Sequence, residues 1–213
     1  MYAAGDLCIY KIVDQKNPVY LSLQGRCDLT DKEIIYSLDK IIQGQRAFFS
    51  DNDFSYYLIS LIEGDNPRHM GGTGLTNSFT AFILKGLDKY RYTTLLAHEH
   101  LHNWIGQKID IGEDEELKYW WREGFTDYYS RVLALRSGVI TFEEFINECN
   151  QFFEDYYLSP VLNEPNSKIK SEKDNGIKKL PYYRGFVFAL YLDNLIKDSN
   201  KNKSLDNVML NLF

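Results

Sequence analysis

Cysteine is scarce in this sequence: three occur in 213 residues, at Cys8, Cys27 and Cys149. They lie far apart and form no Cys-x-x-Cys. That excludes a disulfide framework and a cysteine-built structural metal site, leaving at most one bridge. Proline is scarce too, at five, while 44% of residues are hydrophobic and 25% charged. A disordered or collagen-like chain is thereby excluded. No apolar run reaches the roughly 18 residues that cross a bilayer, so no membrane span is expected. Met1–Tyr10 has no basic start followed by an apolar run, so no signal peptide is expected either. Basic charge is not in surplus: Lys and Arg total 24 against 30 Asp and Glu, a net charge of −6. A nucleic-acid partner needs a basic face, and none is expected here. This composition suits a cytoplasmic or an exported protein equally.

What is present fits one domain over 1–213, large enough to bury roughly 70–75% of its unfolded surface. Leu7–Val13 and Val19–Leu23 alternate apolar and polar side chains, as strands do. Thr30 and Glu33 form a capping box for a helix that Gly44 is expected to end. Phe54–Ile62 and Leu75–Leu84 read as strands, with Gly71-Gly72-Thr73-Gly74 as a glycine-rich turn before the second. After Gly86 the hydrophobic period changes from 2 to 3.6. Helices are expected from Leu87 to a stop at Gly106, over Leu117–Ser137, Thr141–Tyr157 and Tyr182–Lys197, and from Ser204 onward. Ser159–Lys179 reads as a polar surface loop. The fold class is therefore α+β, with a strand-rich lobe over 1–86 and a helical lobe over 87–213. The apolar end, Met209–Phe213, reads as that of a domain cut from a longer protein.

Histidine is rare but clustered. Three of the four histidines are His98, His100 and His102, inside the first helix after Gly86. Residues i and i+4 share a helix face, so His98 and His102 can place two imidazoles on one metal ion. Glu99 projects to the adjoining side, where a carboxylate can take a proton from water. This is a His-Glu-x-x-His arrangement, two zinc ligands plus a general base. His100 is two positions from each ligand and is expected to point away, into packing or solvent.

A catalytic zinc site wants three protein ligands and one open position. The third is expected from Trp120-Trp121-Arg122-Glu123-Gly124-Phe125-Thr126-Asp127. Glu123 and Asp127 are again four residues apart on one face. Glu123 can bind the metal, and Asp127 can accept the N–H of a ligand histidine. The acidic run Glu113–Glu116 reads as a solvated face, whereas Glu123 is surrounded by Trp and Phe and needs a partner.

His-Glu-x-x-His followed about a helix later by Glu-Gly-Phe-Thr-x-Tyr-Tyr resembles the gluzincin metallopeptidases. Within them the sequence is most similar to the glycyl aminopeptidase family, through His98–Trp104, Trp121–Tyr129 and Tyr182-Tyr183-Arg184-Gly185. Aminopeptidase N-like enzymes are similar more distantly. The resemblance covers the catalytic domain only and implies a thermolysin-like zincin fold, flanking domains in the parent protein, one Zn²⁺ per chain and a peptide substrate. It implies His98, His102 and Glu123 as metal ligands and Glu99 as the catalytic base. It also implies Tyr182, two positions before Arg184, as the donor to the oxyanion of the tetrahedral intermediate. Tyr183 is the adjacent alternative.

At the substrate end the sequence departs from that family. Gly71, Gly72, Thr73 and Gly74 correspond to a substrate-binding segment that often reads Gly-Gly-x-Glu-His, with a Glu expected to hold a free amino terminus. Gly74 stands in place of that Glu, and Leu75 in place of the His. Asp65 or Asp127 offers another carboxylate. The glycines permit close backbone approach, so a peptide can pair along this edge. The expected activity is peptide hydrolysis, as an aminopeptidase. The alternatives are an endopeptidase without free-amino selectivity and an inactive peptide-binding module.

Overall fold

Val19, Leu21 and Leu23 alternate with more polar neighbours and are buried, as are Ile59 and Leu61, and Phe79, Ala81 and Ile83. Those three period-2 patterns are the core strands of one sheet. The structure, a computed structural model, describes residues 5–13, 17–25, 29–67, 70–112, 114–168 and 175–213. Cys27, Glu113 and part of the polar loop expected after Ser159 lie outside the described residues. The strands are β1 (Cys8–Val13), β2 (Val19–Gln24), β3 (Tyr57–Gly64), β4 (Gly71–Leu75) and β5 (Ser78–Leu84). Their order is β1-β2-β3-β5-β4. The pairs β1/β2 and β5/β4 are antiparallel, and β2/β3 and β3/β5 are parallel. Helix α1 (Asp31–Phe49) makes the crossover from β2 to β3, and α2 (Lys89–Leu101) follows β5. This is the mixed α+β architecture expected, strands first and helices after.

The described residues form two compact units. The first comprises 1–103 and 133–141 and holds the sheet, α1 and α2. Thr30 caps α1 as expected, its hydroxyl accepting from the Glu33 N–H at 3.3 Å and Glu33 Oε2 accepting from the Thr30 N–H at 2.9 Å. Gly44 does not end α1. A Cβ there would lie 2.1 Å from Ser137 Oγ, so Gly44 is an interior glycine that permits close approach. The helix ends instead at Ser50, whose φ of 49° is left-handed. Gly71–Gly74 is not a turn. It lies in β4, with Gly72 opposite Ala81 and Gly74 opposite Phe79. Three glycines in five positions leave no side-chain alternation to read. The turn is at Asn77, with φ 54°. Helix α2 stops at Leu101, short of Gly106.

The second unit comprises 104–132 and 142–213. It holds most of α3 (Glu115–Arg136), with α4 (Phe142–Tyr157), α5 (Asn175–Ser199) and α6 (Leu205–Leu212). α3 and α5 cross with their backbones in contact. A Cβ on Gly124 would lie 2.3 Å from the Gly185 Cα, and one on Gly185 2.0 Å from the Trp120 carbonyl oxygen. Phe152 of α4 stacks on Phe186 of α5 at 4.0 Å. Asp193 ties α3, α5 and α6 together by accepting from the Tyr128 hydroxyl at 2.9 Å, the Lys197 ammonium at 2.6 Å and the Leu205 N–H at 2.9 Å. α5 begins seven residues before the expected Tyr182 and carries Pro181 inside it. A proline normally marks a helix boundary, which is why the sequence pattern put the start too late.

Candidate metal centre and catalytic groups

α2 starts on Asp88, whose carboxylate accepts from the Arg91 N–H at 2.9 Å. One helical face then brings His98 and His102 together. Their Nε2 atoms are 3.0 Å apart, with rings edge to face at 4.6 Å. His102 is the C-cap but keeps right-handed backbone angles (φ −59°, ψ −14°), so the i, i+4 geometry survives the early helix end. His98 and Glu99 are buried and His102 is half-buried. Glu99 lies against β4: a Cβ on Gly72 would be 2.2 Å from the Glu99 Cδ. The sequence reading missed this seat, although a glycine within a strand is a signal of close approach.

His100 packs, as expected of its position. It is fully buried, edge to face with Tyr57 at 5.1 Å. Gln45 of α1 donates to the Ala97 carbonyl at 2.8 Å, which leaves its Oε1 to accept from His100 Nδ1 at 2.6 Å. The His100 proton is therefore on Nδ1. Burial, and then the Arg46 charge, push its pKa down to about 3, so the ring is neutral. Asn103 donates to the Tyr57 hydroxyl at 2.8 Å. These bonds fasten α2 to α1 and β3 just behind the histidine pair.

In the helical unit, Glu123 is buried on α3, and its Oε1 accepts from Arg122 Nε at 2.9 Å. Asp127, one turn on, accepts from Arg131 Nη1, whose Nη2 reaches Glu148 of α4 at 3.2 Å. Tyr182 of α5 faces α3, its hydroxyl 3.1 Å from that of Tyr119. Burial above all, then the Glu123 charge, raises the Tyr182 pKa far above the usual phenol range. Tyr183 turns instead toward α4, with its ring 5.8 Å from Phe152. Burial, then Asp155, push its phenol up to about 12. Arg184 donates to the carbonyls of Leu162 at 3.1 Å and Glu164 at 2.7 Å.

Among the described residues, His98 and His102 pair on α2 in the first unit, and Glu123 is a buried carboxylate on α3 in the second. The donor set fits zinc. Two imidazole nitrogens on one tetrahedral zinc lie about 3.3 Å apart, close to the 3.0 Å spacing of the His98 and His102 Nε2 atoms. Of the substrate-end residues, Gly71–Gly74 lie on β4, which among the described strands pairs only with β5. Asp65 is exposed.

A family model described as M61 glycyl aminopeptidase matches residues 91–184. Among curated proteins, leucine aminopeptidase 2 of Aspergillus oryzae is 26% identical over 109 residues, 48% of this chain and 17% of that protein. A leukotriene A-4 hydrolase homolog of Botryotinia fuckeliana is 26% identical over 111 residues, 48% of this chain and 16% of that protein. The chain thus spans about a fifth or less of the length of these relatives. Among solved structures, an aminopeptidase N family protein of Idiomarina loihiensis superposes with a TM-score of 0.79 at 20% identity, covering 98% of this chain and 40% of that one. An M1 zinc metallopeptidase of Deinococcus radiodurans gives 0.60 at 13% identity, covering 97% and 44%. The resemblance read from the sequence holds: residues 91–184 carry the pattern of the glycyl aminopeptidase family of zinc metallopeptidases, within a fold shared with aminopeptidase N-type structures.

Proposed function

We propose that this chain is the catalytic domain of a zinc metallopeptidase that hydrolyses peptide bonds as an aminopeptidase, with flanking domains in its parent protein. The observation that carries the reading is the buried His98–Glu99 pair, with His102 turned to bring its Nε2 within 3.0 Å of that of His98. His98, His102 and Glu123 would hold the zinc. A zinc ion held there would supply Lewis-acid chemistry, polarising the scissile carbonyl and lowering the pKa of water toward about 7. Glu99 takes the proton of the attacking water and passes it to the leaving amine. Tyr182, kept protonated by burial, donates to the oxyanion. Asp127 accepts a ligand-histidine N–H and so fixes its tautomer.

The test is elemental analysis of purified protein beside Glu123→Ala and Glu99→Gln. About one zinc per wild-type chain is expected, lost in Glu123→Ala and kept in Glu99→Gln. Glu99→Gln is expected to hydrolyse peptides at least about 10²-fold more slowly. Near-full activity in that variant ends the general-base assignment, and unchanged zinc in Glu123→Ala removes Glu123 from the ligand set.

One observation favours a second reading within the same chemistry. On β4, Gly74 shares the face of Gly72, the face that meets Glu99, and it offers no carboxylate to a substrate amine. The domain then acts without free-amino selectivity. Aminoacyl p-nitroanilides and their N-acetylated forms separate the two: hydrolysis of the free-amino series alone rejects the second reading.

A further inference from the structure

Tyr119, Glu123 and Asp127 are spaced i, i+4 and i+8 on α3, so they lie along one helix face. Tyr119 therefore stands one turn before Glu123. Its hydroxyl lies 3.1 Å from that of Tyr182, and the two rings meet edge to face at 5.7 Å and 89°. The pairing is built in. The α3–α5 crossing at Gly124 and Gly185 brings the two helix backbones into contact. The Arg122 guanidinium lies 5.2 Å from the Tyr119 ring centre, and Arg122 is itself tied to Glu123. Lys179 lies 4.6 Å from the Tyr182 ring centre.

Two hydroxyls at this distance share one proton between them. If Tyr182 donates to Tyr119, it has no proton left for anything else. If Tyr119 donates, Tyr182 keeps its own proton to give to another acceptor, and accepting a bond strengthens it as a donor. A cation lies over each ring, so both phenols are strengthened as donors, and only donation from Tyr119 to Tyr182 leaves Tyr182 a proton for a further acceptor. We propose that Tyr119 is a positioning residue: it donates to the Tyr182 hydroxyl oxygen and so directs the Tyr182 proton toward the oxyanion. The assignment rests on the peptidase reading above.

The test uses the zinc-loaded protein and the peptide anilide series, with Tyr119→Phe, Tyr182→Phe and the double variant. Tyr119→Phe keeps the ring and its packing and removes only the hydroxyl. The expected result is a kcat about tenfold lower with KM within about twofold. In the Tyr182→Phe background the same change is expected to alter kcat by less than about twofold, since the hydroxyl it serves is gone. Equal losses in both backgrounds, or none in either, overturn the proposal. A second readout needs no turnover: the ¹³Cζ resonance of Tyr182 in ¹³C-tyrosine-labelled protein, assigned by its loss in Tyr182→Phe. It is expected to move in Tyr119→Phe. An unmoved resonance overturns the proposed bond. A zinc-loaded wild type that hydrolyses nothing overturns the peptidase reading and with it the catalytic consequence drawn here, whereas a resonance shifted by Tyr119→Phe in that same protein still supports the hydroxyl–hydroxyl bond.

Discussion

A methyl group at position 72 would sit 2.2 Å from the Glu99 Cδ and 2.6 Å from its Oε1. Both atoms belong to a buried side chain whose value lies in where its carboxylate is held. Gly72→Ala is therefore expected to push the carboxylate aside without touching either histidine. Displacing a general base, the role proposed for Glu99, by about an ångström costs roughly 10- to 100-fold in rate. The variant should hydrolyse peptides that much more slowly while binding the same zinc, measured side by side by turnover and elemental analysis. Loss of zinc in Gly72→Ala would mean that the strand supports the histidine pair rather than the base. At this scale the sequence was most informative where spacing alone fixes geometry. Four residues on a helix put His98 beside His102 whatever the helix packs against. It was least informative where a residue acts by having no side chain, as Gly72 does, or across two helices, as Tyr119 does.

The elements show the same division. Helix positions followed from period and capping, and Thr30 and Ser204 precede helices as expected. Helix ends followed for α4, at Tyr157, and within one residue for α3, but not for α1 and α2. Gly44 and Gly106 looked like stops, yet Gly44 sits inside α1, and α2 ends before Gly106 is reached. β4 was invisible as a strand because its pattern is written in glycine, and only its pairing with β5 defines it. Glycine thus has two uses in this chain, and only tertiary contacts tell them apart. Gly185 is the clearest case of the second use. A Cβ there would meet the Trp120 carbonyl oxygen at 2.0 Å and the Gly124 Cα at 2.8 Å, both backbone atoms that no rotamer change can move. Gly185→Ala is expected to cost about 3 kcal/mol or more, the upper range for overpacking. That corresponds to a Tm lower by roughly 6–12 °C in a chain of this size. It should also part Tyr182 from Tyr119, so residual activity in the folded fraction falls as well. A Tm within about 2 °C of wild type would show that α5 can shift freely at the crossing.

For the molecule as a whole, His100 links the folding equilibrium to pH. Its ring is fully buried, holds its proton on Nδ1 for Gln45, and has its pKa pushed down from 6.5 to about 3, first by burial and then by the Arg46 charge. The unfolded chain binds a proton at this residue below about pH 6.5, and the folded chain does not until about pH 3. Stability from this group is thus fully present above pH 6.5 and falls as the pH drops through the window between the two values. By linkage the loss at pH 5 relative to pH 8 is about 2 kcal/mol, a large share of a typical domain stability. The measurement is urea unfolding between pH 8 and pH 5 in the presence of a chelator, so that metal release does not contribute. His100→Gln is the comparison. It removes the titrating ring, loses some stability at pH 8 through packing, and should give a flatter dependence on pH than wild type. Parallel curves for the two proteins would place the acid sensitivity elsewhere in the chain.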